Sequence, residues 1–183
     1  MMNVIKVELP TQLQSDLFFL NEQSLSVNVD KYLEWDIATL NVGFYEALYF
    51  NRVESFQPWT KSEVVIPDIM LAWKEKQVIL ADLYAKRAAK EATQHMKVSI
   101  KYALAALYYA NEQPIILNDW QKHVEQLEHV PVNFTERMTF ILSRPNLYQS
   151  FKALEQIMIE LEKMYARITI KKQNVVRKKP SQA

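Results

Sequence analysis

Gly43 is the only glycine in a chain of 183 residues, and this scarcity restricts the fold more than any other feature of the sequence. An average protein is about 7% glycine. Glycine supplies positive φ angles and lets one backbone approach another, or a ligand, closely. A chain almost without it lacks most tight hairpins, Gly-rich phosphate loops and nucleophile elbows. Long helices joined by Pro, Asn, Asp and Ser turns need glycine least.

A length of 183 residues fits one domain, and 49% hydrophobic residues provide a core. Folding at this size buries roughly 70% of the unfolded surface. The absence of cysteine excludes disulfides, a thiol nucleophile and Cys-ligated metal sites. No apolar run approaches the ~18 residues of a membrane span. Met1 to Pro10 lacks the basic start and apolar stretch of a signal peptide, so a cytoplasmic location is expected. The net charge of +1 is unevenly spread. Lys171, Lys172, Arg177, Lys178 and Lys179 stand in a C-terminal segment without acids. The body is mildly acidic.

The spacing of apolar residues predicts an all-α fold, a single irregular bundle of about six or seven helices over residues 1–170. Residues 171–183 are expected as a disordered basic tail. Residues 1–30 read as a peripheral arm with a short helix from Pro10 through Phe19; a two-strand pairing of residues 4–9 with 24–29 stays open. Leu33, Ile37, Leu40, Phe44 and Leu48 recur at helical spacing. Gly43 interrupts that row, which marks either a break or a close contact with another helix; the unbroken phase favours the contact. Pro67 is expected at the start of a helix carrying Ile69, Trp73, Leu80, Leu83 and Tyr84. Ala92 to Asn111 is apolar on most sides and is expected at the centre. Trp120 to about His129 reads as a short helix. Asn133 and Glu136 have capping-box spacing before Met138 and Ile141. From about Asn146 a final helix shows Leu147, Phe151, Leu154, Met158, Leu161, Tyr165 and Ile168 in a heptad-like row.

Catalytic chemistry finds little footing. His95, His123 and His129 form no His-Glu-x-x-His or Glu-x-x-His pattern; structural or surface roles account for them. Pairs such as Glu125 and Glu128 read as solvated helix faces. No catalytic residue, metal site or cofactor is assigned. Trp59, in a loop after Pro58, is the tryptophan best placed for docking, whereas Trp73 belongs to the core row. The junction Arg144-Pro145-Asn146-Leu147-Tyr148 offers a guanidinium for a carboxylate or phosphate and an amphipathic tyrosine. Arg144 capping the preceding helix is the structural reading of the same residues.

Glu136-Arg-Met-Thr-Phe-Ile-Leu-Ser-Arg-Pro-Asn-Leu-Tyr-Gln-Ser-Phe151 resembles the C-terminal block of the YpoC-like proteins, small uncharacterised proteins of Gram-positive bacteria. Phe44 to Asn51, and Pro58-Trp59 with Ile66-Pro67 and Trp73, resemble their earlier segments. The resemblance covers roughly residues 30–165. It implies a helical cytoplasmic bacterial protein and carries over no activity, cofactor or catalytic residue.

The expected function is a non-enzymatic protein-interaction module that contacts an unknown protein partner through Trp59, Arg144, Asn146 and Tyr148. The alternative is an accessory nucleic-acid binder using Lys171, Lys172, Arg177, Lys178 and Lys179, whose phosphate contacts weaken as salt rises. No membrane contact is expected.

Overall fold

A computed structural model describes residues 3–178. The fold is all-α: seven α-helices among these residues form an irregular bundle, with one small antiparallel hairpin at its edge. The pairing left open in the sequence does form. Strand β1 (Val4–Glu8) lies against β2 (Ser24–Asn28), with Ile5 opposite Val27 and Val7 opposite Leu25. These four residues share the face that packs on the core, because cross-strand partners point the same way. The short helix expected from Pro10 to Phe19 is a single 3-10 turn, Thr11–Leu13. Leu17, Phe18 and Phe19 are consecutive, so a helix would aim them in different directions. Outside a helix all three reach the core, and the Phe18 and Phe19 rings lie 5.4 and 5.5 Å from that of Phe44.

The row from Leu33 to Leu48 is not one helix. Leu33 ends a 3-10 turn (Val29–Tyr32), and the rest of the row falls in or beside α1 (Ile37–Val42) and α2 (Glu46–Phe50). Gly43 caps α1 in extended backbone at φ −149°, so the break, not helix–helix contact, is what the interrupted row marks. Close approach occurs all the same. A Cβ on Gly43 would collide with the Tyr32 hydroxyl. The Asn41 and Gly43 carbonyls left open at the end of α1 accept from Lys101 Nζ at 3.3 and 3.2 Å. A cation at a helix C-terminus both bonds the carbonyls and opposes the dipole.

Helix α3 (Ser62–Ala85) begins one turn earlier than expected and places Pro67 inside it. That position costs the bond a backbone N–H would make to Glu63. The proline side chain is exposed there. Helix α4 (Ala89–Ala110) is the central element: every residue from Ser99 to Ala110 is buried. It packs on α3 and on α7 (Tyr148–Lys178). Helix α5 (Trp120–Val124) stops five residues short of His129. The Asn111 side chain claims the following loop, donating to the His129 carbonyl at 2.8 Å and accepting its N–H at 2.9 Å. Helix α6 (Phe134–Ser143) starts at an Asn133 in left-handed backbone that makes no side-chain cap bond, so the capping box is not formed. Helix α7 buries Phe151, Leu154, Met158, Leu161 and Ile168, as the heptad-like row predicts. It continues past residue 170 to Lys178. Nothing between residues 165 and 178 breaks a helix, and its cations favour a C-terminal turn. The Lys178 side chain and Lys179 lie outside what the structure describes.

Candidate functional site

Three places on this scaffold gather chemistry. The first is a groove of about 590 Å³ between α3 and α7. The two helices run antiparallel, pinned by Gln77 Nε2 donating to Glu155 Oε1 at 2.8 Å and by the Lys74–Glu162 ion pair at 3.2 Å. Beyond Lys74 they part. Pro67, Met70 and Leu71 line one wall, and Tyr165, Ala166 and Ile170 the other. Leu71 is 63% exposed and Ile170 57%. The α3 wall belongs to a longer row: Val64, Pro67, Leu71, Lys74 and Val78 are all exposed and are spaced three, four, three and four residues apart. That is the repeat of a helix seam, and apart from the Lys74–Glu162 pair its residues are exposed. Helix α3 is therefore apolar on two sides, one buried in the bundle and one facing outward.

The second is a polar cleft of about 450 Å³ where α4 ends. His123, Gln126 and His129 face Gln113, Glu112 and Lys172 across it. His123 and His129, six positions apart in sequence, thus line one cleft, because the loop after α5 doubles back onto Asn111. Lys172 pairs with Glu112, and His129 Nε2 lies 3.5 Å from Glu128. Among the described residues, no three His, Asp or Glu side chains come close enough to hold a metal ion.

The third is a buried polar cluster that the sequence reading did not detect. Glu46 is fully buried. Its Oε1 accepts from the Tyr109 hydroxyl at 2.9 Å and from the Ile115 N–H at 3.0 Å, while Oε2 has no partner. Burial pushes its carboxyl up to about 7, against the pull of the Ile115 N–H, the Tyr109 hydroxyl and the Lys101 charge. Burial lowers Lys101 to about 8. Its Nζ stands 4.5 Å over the Phe44 ring. The cluster clasps α2, α4 and the loop after α4. Its only sequence signal was a lysine inside the most apolar helix and a glutamate beside a run of buried positions.

The residues singled out in the sequence are dispersed. Trp59 is 4% exposed, with Tyr49 and Tyr109 at 4.9 and 6.2 Å, so it is a core residue rather than a docking residue. The 3-10 turn Pro58–Thr60 points it inward. Arg144, Asn146 and Tyr148 are exposed. The Arg144 backbone closes α6, its N–H donating to Phe140 and Ile141, while its carbonyl accepts from the buried Ser150 hydroxyl at 2.6 Å. Tyr148 is 52% exposed and its ring lies 5.6 Å from that of Tyr84, at the far end of the α3–α7 pair from the groove. Lys171, Lys172 and Arg177 are exposed along the last turns of α7. No described helix is long and apolar enough to cross a membrane.

The sequence model of a family described as YpoC-like protein matches residues 63–173, which spans α3 to α7. Phe44 to Asn51 lies outside that match. The uncharacterised protein YpoC of Bacillus subtilis is 27% identical over 122 residues, covering 64% of this chain and 74% of that protein. No solved structure matches.

Proposed function

The chain belongs to the YpoC-like family, and we propose that it acts there as a non-enzymatic protein-interaction module that seats an amphipathic helix of a partner protein along α3. The observation that carries this reading is the exposed row Val64, Pro67, Leu71, Lys74 and Val78, flanked by the α3–α7 groove. Single exposed apolar residues are ordinary on protein surfaces, but a contiguous patch marks an interaction site. The alternating three- and four-residue spacing selects a helix as the occupant. From Val64 to Val78 the row covers about 21 Å of helix, enough for about four turns of a partner. Leu71 and Ile170 are its anchors. Lys74 and Glu162 form a polar rim that fixes register. A longer occupant would run toward the C-terminal end of α3, where Tyr148 stands beside Tyr84. Photo-cross-linking from position 71 in the native bacterium tests the reading, with adducts to a helical segment of one partner expected.

A further inference from the structure

Of the cations expected in the tail, Lys171 and Arg177 lie on α7 and continue a row of basic residues that begins further back in the helix. Lys163, Arg167, Lys171 and Asn174 are exposed and follow one another at spacings of four, four and three, which lines them up along one side of α7. Tyr165 and Ala166, which face the groove, lie on the adjoining side, and Ile170 stands at the border between groove and row. No acid follows Glu162. The acids nearest this face are already engaged: Glu160 by Arg137 at 2.7 Å, Glu162 by Lys74, and Glu112 by Lys172. Glu128, beside Arg167 and Lys171 in a neighbouring cleft of about 240 Å³, lies against His129. Lys163, Arg167, Lys171 and Arg177 have no ion-pair partner among the described residues. Arg167 spends one N–H on the Lys163 carbonyl of its own helix.

We propose that this face of α7, Lys163, Arg167 and Lys171 with Arg177 at its end, binds the phosphate backbone of double-stranded nucleic acid without reading sequence. Cations held on a helix are ordered in advance, so binding does not have to order them. The exposed apolar residues among the last cations are Val175 and Val176, and no aromatic follows Tyr165. Single-strand binders stack bases on aromatic side chains, so the chemistry favours a duplex. Three to four phosphate contacts give a salt slope of about −3 and a loss of roughly 60-fold in affinity between about 50 and 200 mM salt. This surface adjoins the groove at Ile170, but its cations are not groove residues, so salt-sensitive duplex binding can fail without helix docking failing, and the reverse.

Fluorescence anisotropy with a random duplex of about 20 base pairs measures the effect in the full chain. R167E/K171E is expected to bind at least about tenfold more weakly at low salt, with the slope reduced by about two. Its melting temperature should match that of the unaltered chain, since both side chains are exposed. K178Q/K179Q is expected to stay within about threefold. The proposal is overturned if the unaltered chain shows no salt-sensitive binding. It is equally overturned if R167E/K171E binds as tightly as the unaltered chain. A stronger, Arg167- and Lys171-dependent attachment to vesicles of anionic phospholipid than to duplex would also overturn it, assigning the face to membranes.

Discussion

At Gly43 the residue matters for its missing side chain rather than its backbone freedom. Its φ of −149° is open to any residue. The left-handed turn positions are instead filled by Asn21, Arg52, Arg87, Glu112, Asp119 and Asn133, each at a small conformational cost. What reserves position 43 is the Tyr32 hydroxyl, which occupies the space a Cβ would need. Tyr32 is buried and cannot swing out freely. G43A should therefore lower stability by about 1–3 kcal/mol, and adding Y32F should recover most of it, because the phenyl ring without its hydroxyl leaves room. Urea unfolding of the single and double variants measures this; a double variant no better than G43A would disprove the clash. Glu46 makes a second prediction at this scale. Its folded carboxyl titrates near 7 and the unfolded one near 4.5. Between those values the folded chain holds a proton the unfolded chain has lost, so stability falls as pH rises through that window and levels above it. Lys101, lowered to about 8 from 10.5, adds a rise between those values. Stability should be lowest between pH 7 and 8. E46Q keeps an acceptor for Tyr109 and Ile115 without the charge. It should flatten the acidic limb and gain about 1–2 kcal/mol at pH 7.5. A loss at that pH would show that the ionised carboxylate is compensated by Lys101.

The elements divide into those the sequence makes visible and those it hides. Helices α3, α4 and α7 were legible because each sustains a 3.6-residue pattern over five turns or more. The buried run Ser99–Ala110 and the row Phe151–Ile168 follow directly from it. The N-terminal third was not legible. There the apolar residues Phe18, Phe44 and Leu48 reach one core from separate short elements, and a row that keeps phase by coincidence looks like one helix. Trp59 misled for a related reason: a tryptophan in a loop reads as exposed, yet the 3-10 turn after Pro58 buries it. Pro67 misplaced the start of α3 because a proline is most often a first-turn residue, and its exposed side chain here costs only one bond. Between elements, the α6–α7 contact depends on Arg137. Its guanidinium meets both Glu160 oxygens at 2.9 and 2.7 Å and also the Val132 carbonyl at 2.6 Å. The pairing holds the Glu160 carboxyl below its ordinary value. A double-mutant cycle of R137A and E160A should give a coupling of about 1 kcal/mol, since the pair is bidentate but partly exposed. A coupling near zero would mean that apolar packing alone docks α6.

For the molecule as a whole, the relevant contrast is between α4, buried on every side from Ser99 to Ala110, and α3, apolar on two sides but covered on one. A bundle of this size can bury its own apolar faces, and α4 and α7 show that this one does. The exposed row on α3 and the groove beside it are the surface proposed for docking, and both lie within the residues that match the YpoC-like family. The candidate site was not legible, because its residues come from two helices about 100 positions apart in sequence, and an outward apolar row cannot be told from an inward one before the fold is known. The decisive measurement places a photo-cross-linking residue at Leu71 and, separately, at Val132, an exposed apolar residue just before α6. The docking account predicts a single dominant adduct from position 71, mapped to an amphipathic helix of another protein, and none above background from position 132. Equal labelling from both positions, no adduct from position 71, or an adduct only to a second copy of this chain would contradict it.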